Sequence, residues 1–124
     1  MDQSEMHDKG VALLEKLYGE GTLEAMKAEM ADICPFFVDM TTDWALGGIM
    51  SRPGLDPLTR ELLMIASCVT LGHAMPQLRA HATGALSLGA TKEQIVETVL
   101  QMTFYAGGAA VRNSLVELKP ILNG

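Results

Sequence analysis

Arg60-Glu61-Leu62-Leu63-Met64-Ile65-Ala66-Ser67-Cys68-Val69-Thr70-Leu71 is a charged pair followed by a run that is apolar except for Ser67 and Thr70. The run shows no polar–apolar alternation, and its length suits a buried helix better than a strand. Gly72-His73-Ala74-Met75-Pro76 breaks it. Gln77-Leu78-Arg79-Ala80-His81-Ala82 then sets a second ionisable group in another apolar stretch. A carboxylate and an imidazole inside greasy helices are costly unless paired or hydrogen-bonded. Either Glu61 and His81 meet for a chemical purpose, or each is satisfied separately as a structural group.

The chain on both sides also reads as helical, with no sustained period-2 pattern and no Asn-Gly hairpin signal. Ser4 is expected to cap a first helix ending near Tyr18, with Val11, Leu14 and Leu17 on one face. Gly19 and Gly21 stop it, and Thr22 caps a second helix reaching about Asp32. Pro35 suits the first turn of a short helix bearing Phe36, Phe37 and Met40. Asp43 is expected to cap another over residues 44–50, where Gly47-Gly48 either weaken the helix or admit a close neighbour. After the turn Ser51-Arg52-Pro53-Gly54, Asp56-Pro57 supplies an N-cap and a first-turn proline for the helix that holds Glu61. Glu61 would then lie in the first turn, where the helix dipole favours a carboxylate. Pro76 opens the helix of His81, which Gly89 stops. Thr91-Lys92-Glu93-Gln94 is a capping box for a helix reaching about Tyr105. Gly107-Gly108 precede a last helix over about 109–118, which Pro120 disturbs.

At 124 residues the chain, 1–124, is expected to form one all-α domain with its own core. Hydrophobic residues make up 48%, with few aromatics and nine Met, more apolar surface than one small core hides; this points to a homo-oligomer. A net charge of −6 argues against nucleic acid and against anionic membrane surfaces. No apolar run approaches the ~20 residues that span a bilayer, and Met1-Asp2-Gln3-Ser4-Glu5 is too acidic for a signal peptide. A cytoplasmic protein is expected, with Cys34 and Cys68 as reduced core residues.

His7, His73 and His81 are the only histidines, and their spacing does not suit a metal site. His7 is read as solvated. His73 lies at a helix break, where it either faces solvent or reaches a pocket. Four arginines, Arg52, Arg60, Arg79 and Arg112, serve an acidic chain. They either pair with surface carboxylates or build a clamp for a small anion, since the guanidinium fork matches a carboxylate. Tyr105 is read as a core residue or as a hydroxyl presented to a cavity.

The ordered set Ser51-Arg52-Pro53-Gly54-Leu55, Thr59-Arg60-Glu61-Leu62, Leu78-Arg79-Ala80-His81, Gly89-Ala90-Thr91-Lys92-Glu93-Gln94-Ile95-Val96-Glu97, Tyr105-Ala106-Gly107 and Asn113 resembles the carboxymuconolactone decarboxylase family over about residues 33–118. The resemblance implies an alkylhydroperoxidase D-like helical bundle, assembled as trimers or hexamers. One branch of that superfamily uses a Cys-x-x-Cys pair followed by x3-His. Anchored on His81, that pattern would put its thiols at Ala74 and Gln77, and neither is cysteine. The chain therefore resembles the decarboxylase branch, which converts 4-carboxymuconolactone to an enol-lactone in aromatic catabolism without a cofactor. On that likeness His81 is the acid or oxyanion donor and Glu61 orients it. Arg52, Arg60, Arg79, Arg112, His73 and Tyr105 are candidates to hold a small anionic substrate. An antioxidant alkylhydroperoxidase (peroxiredoxin) activity and a non-enzymatic small-molecule binder are the alternatives.

Overall fold

A computed structural model describes residues 1–124. The chain is all-α, with no strand, and comprises two compact units, Met1–Pro57 and Leu58–Gly124. The first holds α1 (Gln3–Tyr18), α2 (Thr22–Met30), α3 (Pro35–Asp39) and a π-helix, Met40–Met50, that continues directly from α3. The second is built from α4 (Pro57–Leu71), α5 (Met75–Ser87), α6 (Lys92–Gln101), α7 (Thr103–Ala106) and α8 (Gly108–Leu122).

In the first unit α1 packs on the π-helix. The crossing is close because two glycines face backbone. A methyl group on Gly10 would overlap the Thr42 carbonyl, and one on Gly47 would overlap the Met6 carbonyl. Leu14, Leu17, Val38, Leu46 and Met50 fill the interior. Asp2, not Ser4, caps α1, in a reciprocal box with Glu5. Thr22 does not cap α2 either. Its hydroxyl donates backward to the Tyr18 and Gly19 carbonyls, and the helix ends at Met30. The expected break at Asp43 is absent: its side chain points away from the backbone and accepts from His7. Cys34, expected in a core, is exposed beside Pro35.

The second unit has one continuous core. It includes Ile65, Cys68 and Val69 of α4, Leu78, Ala82 and Ala85 of α5, Ile95 and Val99 of α6, and Val111 and Leu118 of α8. Gly72 and Gly89 adopt positive φ just beyond α4 and α5, as helix stops do. The Thr91–Gln94 capping box forms as expected. Two boundaries differ. α6 stops at Gln101, and Met102 separates it from the single turn α7. α8 runs through Pro120 to Leu122, four residues beyond the expected end. Proline there leaves the carbonyl one turn back without a donor, but Val116 is exposed, so water can reach it. Tyr105, read from sequence as a core or cavity residue, is 93% exposed.

Candidate functional site

α4 and α5 bring Glu61 and His81 together. Glu61 lies in the second turn of α4, one turn before Ile65 and two before Cys68, so its side chain is carried into the core by the same face. No acidic residue occupies the first turn, so attraction to the free amides of the helix end does not account for its position. His81 follows the buried Leu78 by three residues and precedes Ala82 and Ala85 on α5. Its ring reaches across the core edge, and Nδ1 lies 2.8 Å from Glu61 Oε2.

Burial divides the roles of the pair. The Glu61 side chain is 1% exposed and that of His81 23%. The carboxylate accepts the Nδ1–H, which fixes the tautomer and leaves Nε2 as the ring nitrogen not engaged by Glu61. Glu61 Oε1 is buried and has no hydrogen-bond partner on the chain. Ser114 Oγ on α8 is a second buried, unpartnered polar atom of this unit. Sequence reasoning gave no sign of it, because one serine among apolar helix positions looks like any small packing residue.

Cys68 is buried on the Glu61 face of α4. Burial pushes its thiol above the ordinary value, and the Glu61 carboxylate raises it further. It is thus a protonated, poorly nucleophilic sulfur. No three His, Cys, Asp or Glu side chains converge as a metal site needs.

The other candidate residues lie as follows. Arg79 is exposed and ion-paired with Glu117 of α8. Arg112 is exposed and donates to the neighbouring Asn113 side chain at 3.2 Å. His73 is exposed just beyond α4, Arg52 is exposed in the turn before α4, and Arg60 is half-buried beside Glu61 in sequence. His7 is not simply solvated: its Nδ1 lies 2.8 Å from Asp43 Oδ1.

A profile of the carboxymuconolactone decarboxylase family matches residues 38–119. The chain belongs to that family. It is 29% identical over 107 residues to a 4-carboxymuconolactone decarboxylase of Acinetobacter baylyi, covering 86% of this chain and 79% of that protein. It is 42% identical over 78 residues to an uncharacterized 15.0 kDa protein of Paracoccus denitrificans, covering 62% of this chain and 58% of that one. It is also 27% identical over 122 residues to a nitrosuccinic acid decarboxylase of Metarhizium robertsii, covering 95% and 82% of the two chains. As a family member this chain thus has relatives named as decarboxylases of small carboxylic acids. No helix in it is long and apolar enough to cross a membrane.

Proposed function

We propose that the protein is a cofactor-independent carboxy-lyase in which the Glu61–His81 pair handles charge and protons for a small anionic substrate. The observation that carries this reading is the 2.8 Å contact between a fully buried carboxylate and a partly exposed imidazole. The two decarboxylase names support it from another side. Each describes loss of CO2 from a small acid that also bears an electron-withdrawing group, a lactone or a nitro group.

In 4-carboxymuconolactone the bond to the carboxylate breaks and CO2 departs. The electron pair left on carbon passes through the conjugated double bond to the lactone carbonyl oxygen. His81 is first protonated at Nε2 by solvent, giving the imidazolium. It donates that Nε2–H to the dienolate oxygen, or delivers the proton to carbon and returns to the neutral ring, while Glu61 holds Nδ1–H and balances the transient charge. Apolar residues around the pair disfavour the ground-state carboxylate more than the delocalised transition state. Arg52, Arg60, Arg79, Arg112, His73 and Tyr105 remain the candidates for holding the substrate's carboxylates. The exposed Leu63, Leu71, Leu100, Phe104 and Val116 favour a homo-oligomer of family type, a trimer or hexamer, and a cytoplasmic location goes with the proposed reaction. A place in aromatic catabolism is the matching role.

The test is incubation of the purified protein with 4-carboxymuconolactone, with trapping of CO2 and detection of the enol-lactone. Equimolar CO2 and product are expected. No turnover above buffer, together with thiol-dependent reduction of an organic peroxide, would favour the antioxidant alternative. The buried, protonated state of Cys68 weighs against that outcome.

A further inference from the structure

The first turn of α1 and the continuous helix over residues 35–50 border an open cleft of about 350 Å3, walled by Met6, Phe36, Met40 and Trp44 and carrying the carboxylates of Asp39 and Asp43. We infer that this cleft is a binding site for a small organic cation, an ammonium bearing apolar groups. It uses no residue of the Glu61–His81 pair, so it stands or falls separately from the decarboxylase reading.

Charge and wall chemistry select the occupant. Asp39 is exposed and makes no ion pair; Lys27 lines an adjoining groove with it but does not reach salt-bridge distance. Asp43 gives Oδ1 to His7 Nδ1 at 2.8 Å, and its side chain is only 15% exposed. The second oxygen has no partner on the chain. An anion would meet two carboxylates at once. A neutral apolar ligand would strip water from them without return. A bare metal cation needs several oxygen ligands, and no group of three acidic, His or Cys side chains is assembled. A second copy docked across a two-fold axis at the cleft would bring Asp39 and Asp43 against their own counterparts, and one docked head to tail would have to bring a cationic patch from a chain of net charge −6. An organic ammonium satisfies both halves of the cleft. Its charge faces the carboxylates, and its methyl or methylene groups rest on the indole and phenyl rings, whose quadrupoles attract a cation.

Trp44 is the only tryptophan, so intrinsic fluorescence reads this cleft directly. The probes are choline and neohexanol, its uncharged carbon isostere, titrated against the full chain. A saturable change with choline is expected, about tenfold tighter than with neohexanol. That preference should shrink in Asp39→Asn, which leaves the His7–Asp43 bond intact, and vanish in Asp39→Asn/Asp43→Asn. Circular dichroism checks that the variants remain helical, and calorimetry with Trp44→Leu should show weakened choline binding. Equal binding of the two probes, no saturable change with choline, or a choline affinity indifferent to Asp39→Asn would each overturn the inference. So would a Trp44 emission that shifts on dilution and ignores choline, because a second copy would then fill the cleft.

Discussion

At the scale of single residues, Glu61 is the costly choice. Its Oε2 is matched to His81, but its Oε1 is buried without a donor, so an uncharged side chain there should be tolerated by the fold. Glu61→Gln keeps the volume and an acceptor for Nδ1–H but removes the charge that supports the imidazolium. Decarboxylation should fall about a hundredfold or more, while urea denaturation shows a smaller loss than the roughly 3–5 kcal/mol of a buried charge left unpaired, because Gln still offers Nδ1–H an acceptor. A large loss of stability with activity retained would reverse the assignment. The cysteines give a second prediction. Exposed Cys34 should be alkylated by iodoacetamide in the native protein, and Cys68 only after denaturation, as mass spectrometry of the adducts would show. Folding also holds the Cys68 proton more tightly than the unfolded chain does. As pH rises through the ordinary thiol value of 9.0, unfolded chains lose that proton first, and stability present below that pH declines above it. Urea midpoints measured on either side of that value should show the decline in the parent, and less of it in Cys68→Ala.

At the scale of elements, α1 and the π-helix depend on two positions without a Cβ. Gly10→Ala or Gly47→Ala forces backbone apart and should cost about 1–3 kcal/mol or more. Gly54→Ala meets nothing within 4 Å and should be nearly neutral in the same thermal melts. Thr91→Ala should cost about 1 kcal/mol by opening the capping box. The capping box, the first-turn prolines and the glycine stops after α4 and α5 could be read from sequence because each works within a few residues. The uninterrupted helix over residues 35–50 could not. Asp43 looks like an N-cap until His7, 36 residues away, claims its side chain. Gly47 hinted at the close approach, but nothing local said which backbone it would meet. Pro120 misled for a related reason: an exposed last turn tolerates the hydrogen bond that proline removes.

At the scale of the whole molecule, the excess of apolar residues seen in composition reappears as exposed side chains. Leu63, Leu71, Leu100, Phe104 and Val116 of the second unit are all open to solvent. They are the surface on which the proposed self-association should depend. Sedimentation should show a multiple of the 13.3 kDa chain mass, and Phe104→Glu should lower it; a monomer at micromolar concentration would remove the oligomer from the account. The pairing of Glu61 with His81 was foreseeable because two ionisable groups in adjacent apolar helices have few other ways to be satisfied. Which arginine serves an anion is not legible in the same way, because an arginine's reach depends on neighbours far along the chain, as the engagement of Arg79 with Glu117 shows. The most direct test compares CO2 release from 4-carboxymuconolactone by the parent and by His81→Ala, with and without added imidazole. A loss of about a hundredfold or more, partly restored by imidazole, is the predicted result; turnover within a few-fold of the parent would contradict the account.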